Sequence, residues 1–197
     1  MMERSAFDIL LDYPKENGLV YETHENQERF YLFPDDPVLK DKHIIFEMND
    51  LIFYAFDSFS TRAYMSKTYT GLYGTLNSKS DINCKIYKKD WLDFIFRKNK
   101  IKTGIKYVDN NLTICSDSKS IKGLLTKDDV LLFLNIFDKI NPLELLIQSN
   151  YLQKIRKLKD KKVIGIETNK WLYKKEDLDI LIKLGGKLIR NIINASA

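Results

Sequence analysis

A chain of 197 residues can bury roughly 70% of its unfolded surface in one body, so its core needs no disulfide or metal staple. With 44% hydrophobic, 12% aromatic and 30% charged residues the composition excludes a disordered or collagen-like chain, and no apolar run approaches the roughly 18 to 20 residues of a membrane helix. The formal charge of +5 is unevenly spread, because residues 1–80 carry 8 Lys or Arg against 13 Asp or Glu while residues 81–197 carry 24 against 14. Such asymmetry is the footprint of a side that faces a polyanion. It is equally the footprint of AT-rich coding DNA, which enriches Lys, Ile, Asn and Tyr without selection for binding.

The opening MMERSAFDILLDY has a short apolar patch flanked by acids and no basic segment before it, so a cytoplasmic chain without an export signal is expected. Ser5 is placed to cap a short amphipathic helix that ends at Pro14. Leu19 to Thr23 and Arg29 to Phe33 read as strands, and PDDPVLKDK as a loop, since two prolines and five charges leave it no hydrophobic face. His43 to Met48 and Leu51 to Ser58 flank the turn-like Asn49-Asp50 and predict a hairpin. From Ser60 to Leu76, alternating Thr and Tyr suit an exposed strand, with Gly71 and Gly74 marking a bend or a bulge.

Ile82, Cys84 and Ile86 alternate with Asn83, Lys85 and Tyr87, which places the sulfur and both isoleucines on one buried face. Cys84 and Cys115 have neither zinc nor Cys-x-x-Cys spacing and are expected as buried thiols. Asp90 to Arg97 fits a short helix and a strand equally well. Ile101 to Val108 and Leu112 to Ser116 predict a second hairpin, since Asp109-Asn110-Asn111 tolerates the positive φ angles of a tight turn.

Beyond this point the pattern becomes more helical. Thr126 caps a helix to about Lys139, with Asp128 and Asp129 at the positive end of its dipole. Leu143 to Gln148 reads as a strand and Tyr151 to Leu158 as a basic helical turn or two. Lys162 to Thr168 is apolar enough for a central strand. Glu176 to Ile193 is an amphipathic helix whose Gly185-Gly186 marks a break or, as we favour, a close backbone approach.

Two stretches carry candidate chemistry. Lys85 to Lys106 holds eight basic side chains against Asp90 and Asp93, interleaved with aromatics. Lys88, Lys89, Trp91, Phe94, Arg97, Lys98, Lys100 and Lys102 are its binding candidates. The lysines suit phosphates or anionic lipid, at about 1 kcal/mol per cation near a membrane surface, and the aromatics suit bases or headgroups. The same residues also suit an ordinary core with a solvated outer face. The second stretch is the end of VIGIETNKW, where Glu167, Asn169 and Trp171 would meet a cleft if the sheet carries parallel strands. Their plain structural roles are an ion pair, a turn and a core seal.

His24 and His43 lack partners at metal spacing, and neither Gly71-Leu72-Tyr73-Gly74 nor Gly185-Gly186-Lys187 makes a phosphate loop. No metal and no cofactor is expected. The fold expectation is an α+β protein: one domain over residues 1–197, with an antiparallel sheet in the first two-thirds and helices and further strands in the last third packing on it. A subdivision near residues 77–81 is the alternative. The functional expectation is a non-catalytic binding or interaction module, peripheral to an anionic membrane surface through residues 85–106 or meeting a protein partner. Nucleic acid on the same stretch and an enzyme with a cleft beside Glu167 are the alternatives.

Overall fold

A computed structural model of the protein describes residues 4–29, 37–60, 65–77, 83–90, 100–116 and 124–196. Its strands are β1 (Tyr21–Arg29), β2 (Pro37–Met48), β3 (Leu51–Ser60), β4 (Met65–Thr75), β5 (Cys84–Lys88), β6 (Lys100–Ile101), β7 (Leu112–Ser116), β8 (Glu144–Ser149) and β9 (Lys162–Thr168). They form one sheet in the order β1-β2-β3-β4-β9-β8-β5-β7-β6, and every neighbouring pair is antiparallel. The α+β expectation therefore holds, and β9, with Val163, Ile164 and Ile166 fully buried, is the central strand. Because antiparallel neighbours leave alternate residues on opposite faces, each strand feeds two environments.

The helices cover one of those faces. They are α1 (Ala6–Glu16), α2 (Lys106–Asn111), α3 (Lys127–Lys139), α4 (Lys175–Ile180) and α5 (Gly186–Ala195), with a π-helical turn, Leu181–Gly185, joining the last two. Two of them start on capping boxes: Ser5 and Asp8 satisfy each other's backbone N–H in α1, and Thr126 and Asp129 do so in α3. Phe133, Ile136, Leu181, Leu188, Ile189 and Ile192 then meet Phe46, Phe53, Leu72, Ile86, Ile164 and Ile166 from the sheet in the larger core. Burying each such side chain contributes about 1.5–3 kcal/mol.

The glycines of the last helix serve close approach, as expected. A Cβ on Gly185 would meet Ile166 at 3.1 Å and one on Gly186 would meet Leu51 at 3.3 Å. The extra residue of the π turn keeps the apolar stripe facing the sheet on either side of that contact. No helix among the described residues is long and apolar enough to cross a membrane.

Three local expectations are corrected. Pro37 to Lys42 is the start of β2, not a loop, because it pairs with β3 out to Leu39 opposite Ser60. The helix α1 runs past Pro14 to Glu16, since proline near the end of a helix removes few bonds. The segment before β7 is a hairpin arm only at Ile101, which pairs with Ile114, and not beyond it. Asp109 accepts hydrogen bonds from the Thr103 backbone N–H at 2.8 Å, the Thr103 hydroxyl at 2.9 Å and the Gly104 N–H at 3.1 Å, with Gly104 at φ +85°. That carboxylate folds the chain back on itself, and Lys106–Asn111 becomes helix. The Asn49-Asp50 hairpin, by contrast, forms as expected, with φ of 50° and 64° at its two turn residues. Cys84 and Cys115 are both thiols, and the alternation of their neighbouring strands sends them to opposite faces.

Candidate functional site on the open face of the sheet

Opposite the helices, the sheet is covered in its middle by one segment, the 150–161 connection between β8 and β9. Leu152, Ile155 and Leu158, spaced three apart, pack on Ile52, Tyr54, Tyr73 and Val163 to make a second, smaller core. The residues between them, Gln153, Lys154, Arg156, Lys157, Lys159 and Asp160, are exposed. A basic rim therefore borders a face that no described helix covers.

The floor beside that rim is built from a tyrosine and two glycines. Tyr73 is fully buried although it points away from the helices. A Cβ on Gly71 would lie 2.3 Å from its hydroxyl, and a Cβ on Gly165, its partner across β9, would lie 2.3 Å from its ring. The ring thus lies flat over two bare stretches of backbone, which only glycine permits. This posture carries the hydroxyl to Glu167, where it donates to Oε2 at 2.8 Å. From the far end of the covering segment, the Tyr151 hydroxyl donates to the same carboxylate at 2.9 and 3.0 Å.

Glu167 is only 6% exposed, and no described Lys or Arg makes an ion pair with it. Burial raises its pKa above the ordinary value, the two tyrosine hydroxyls work against that rise, and Glu144 adds to it. Glu144 lies directly opposite on β8 and shares the face; Lys85 reaches it at 3.4 Å. Burial, with Glu167 second, keeps the Tyr151 and Tyr73 hydroxyls protonated far above neutral pH, so both remain donors. Glu167, Glu144, Lys85 and Tyr151, with Lys67, Tyr69, Gln148 and Asn169, line a cleft of about 710 Å³.

Next to it, and sharing Lys67, Tyr69 and Tyr151, lies a more apolar groove of about 520 Å³. Tyr54, Phe56, Leu152 and Ile155 form its walls and Lys154 stands at its edge. Its aromatics are ordered by mutual contacts. The Phe56 and Tyr69 rings lie 5.3 Å apart, Tyr54 meets Tyr69 edge-on at 5.5 Å, and His43 meets Tyr54 edge-on at 5.7 Å. His24 stacks on His43 at 5.1 Å, and burial, followed by His24, lowers the His43 pKa, with Lys154 acting in the same direction.

Of the residues singled out in the sequence, Glu167 and Asn169 enter the cleft, although by a different route from the one expected. The sheet is antiparallel, so no carboxyl edge of parallel strands gathers them; cross-strand register does. Trp171 goes elsewhere. It stacks on Phe7 at 6.1 Å and its Nε1 donates to the Ala6 carbonyl, under the Lys42 ammonium on the helix side. Lys88 also faces the helices, over the Phe137 ring at 4.7 Å and paired with Asp138 at 3.2 Å, and Lys89 donates to the Asp109 carbonyl at 2.7 Å. Lys100, opposite Cys115, belongs to the other face, and Lys102 is exposed beside Asp109. Trp91, Phe94, Arg97 and Lys98 lie outside the described residues.

Sequence reasoning passed over Lys67, Tyr69, Tyr73, Glu144, Tyr151 and Lys154 as site residues. The alternation of Tyr69, Gly71 and Tyr73 announced a shared face; nothing local announced that Glu144 would stand opposite Glu167. No family model matches the chain, and neither a curated protein nor a solved structure does.

Proposed function

We propose that the protein is a binding module whose ligand occupies the open face of the sheet, with a polar part in the Glu167 cleft and a flat part in the groove beside Phe56, Tyr69 and Tyr151. One observation carries this reading. A carboxylate is buried, its lone pairs are aimed by two tyrosine hydroxyls, and no described Lys or Arg forms an ion pair with it. Burying such a group costs free energy that packing alone would avoid, so a donor-bearing ligand is the natural counterpart. The basic stretch proposed from the sequence contributes less, since Lys88 and Lys89 are engaged with the protein's own acceptors. NMR titration with a library of small polar aromatic compounds tests it. Shifts clustered at Tyr69, Tyr151 and Glu167 are expected, and hits scattered over the helix side would sink the reading.

A second reading is favoured by the facing pair Glu144 and Glu167. Residues directly opposite on antiparallel strands hold their Cβ atoms about 4.5–5.5 Å apart, and a buried carboxyl with a raised pKa facing a second carboxyl is the arrangement of acid–base catalysis on glycosides. A panel of chromogenic glycosides decides it: turnover lost in both Glu144→Gln and Glu167→Gln is the expected result, and no turnover by the native chain removes catalysis.

A further inference from the structure

Resting on the binding reading, we infer that the ligand of the open face is single-stranded nucleic acid, with bases stacked on Phe56, Tyr69 and Tyr151 and phosphates following the basic rim of residues 154–161. The groove combines what such a ligand needs. Every base offers a π face, and half-buried rings on a sheet surface accept it at little conformational cost. Lys67 and Lys154 line the groove with those rings, and from Lys154 the covering segment continues through Arg156, Lys157, Lys159 and Lys161 with Asp160 as the one acid among them, Arg156 and Lys157 lining the neighbouring groove beside Glu22 and Glu47. Among the described residues, Lys157 is the member of this set that makes an ion pair, with Glu47. The others are exposed cations whose neighbours Leu152, Ile155 and Leu158 pin the segment to the sheet, so the rim is held at a fixed distance from the groove.

The alternatives fit less well. In a duplex the bases are already stacked, and a groove of about 520 Å³ admits a base rather than a double helix. The described helices are packed against the opposite face, and none of them is free to enter a major groove. A lipid surface is met by protruding apolar side chains, whereas Tyr54 is buried and Phe56, Tyr69 and Tyr151 are partly buried in the floor and walls.

The cleft adds a preference among bases. Glu167 and Glu144 repel phosphate, which keeps the backbone on the rim, but a carboxylate accepts from the exocyclic amino group of cytosine. Thymine offers an oxygen at that position. A cytosine strand is therefore held more tightly than a thymine strand, and Glu167 is the residue that tells them apart.

Fluorescence anisotropy with labelled dC and dT decamers across a salt series tests this. The expected results are tighter binding of dC than dT and a log K that falls with log salt by about 0.7 per phosphate contact. Tyr69→Ala should weaken binding about tenfold. The exposed pair Lys154→Ala/Lys159→Ala, which does not disturb the core, should flatten the salt slope, and Glu167→Gln should erase the preference for dC. Absence of binding at low salt, or binding that Tyr69→Ala and Phe56→Ala both leave unchanged in folded protein, overturns the inference. So does co-sedimentation with phosphatidylserine vesicles in place of oligonucleotide binding. If oligonucleotides fail while small aromatics still shift Tyr69 and Tyr151, the nucleic-acid inference falls and the binding site stands; if both fail, both fall.

Discussion

The helix-covered face of the sheet and its open face are made by the same strands, one residue apart along the chain, yet they are held together differently. On the covered face, Phe53, Leu72, Ile86, Ile164 and Ile166 meet helix side chains in a continuous apolar core. On the open face, burial is local: Tyr73 lies over Gly71 and Gly165, a three-spaced set of apolar residues closes the middle, and a carboxylate sits among hydroxyls. Apolar packing tolerates many arrangements of similar volume. A buried carboxylate tolerates few, because each lone pair needs a donor in place. The open face is therefore the more exacting part of the structure, though it buries less.

The largest effect that separates the two faces is cavity formation. Phe133→Ala, at a position 2% exposed, should cost about 3–5 kcal/mol in urea unfolding. Phe56→Ala, at the partly buried groove, should cost much less, about 1–2 kcal/mol by the apolar area removed from water. Equal losses would mean that the groove is core, and the contrast between the faces would collapse.

A smaller effect probes the glycine floor. Gly165→Ala sets a Cβ against the Tyr73 ring and should cost about 1–3 kcal/mol by overpacking. Combining it with Tyr73→Ala should cost clearly less than the sum of the two single losses, since the clash disappears with the ring. Thermal unfolding of the four proteins in the cycle measures this. Strict additivity would show that the ring does not lie on Gly165.

The smallest effect is a pH dependence. Glu167 has a folded pKa above its ordinary value of 4.5, so the folded state holds this proton more tightly than the unfolded state. Its contribution to stability is complete below 4.5 and is lost as pH rises through the raised folded value. Glu167→Gln removes that loss. Over this window the native protein should lose more stability than the variant does, by a fraction of the few kcal/mol at stake in a buried charge. The Tyr151→Phe variant sharpens the point: losing a donor to the carboxylate should steepen the decline, and an unchanged slope would remove Tyr151 from the network.

Much of the fold was legible because its signals are local. Thr126 with Asp129, the Asn49-Asp50 turn, the apolar Val163 to Ile166 run and the stripe of the last helix each work through neighbours a few residues away. The second hairpin misled for a related reason. Asp109-Asn110-Asn111 has the composition of a turn, but the same carboxylate prefers the backbone N–H groups of Thr103 and Gly104, and composition does not rank the two uses.

The candidate site was half legible. Glu167 and Asn169 stood out as polar groups closing an apolar strand, while the lysines of residues 85–106 stood out by number alone. Charge counted along a chain says nothing about which face each cation reaches, and Lys88 and Lys100 belong to opposite faces.

What the sequence determined by itself is the capped helices, the Asn49-Asp50 turn, the apolar central strand and the stripe of the last helix, since period and capping act within a few residues. Only the tertiary structure decided that Glu144 stands opposite Glu167, that Tyr73 crosses two glycines to reach it, and that Tyr151 closes the carboxylate from the far end of a connection. Those relations depend on strand order and register, which are set by the whole sheet at once and leave no mark on any short stretch of the chain.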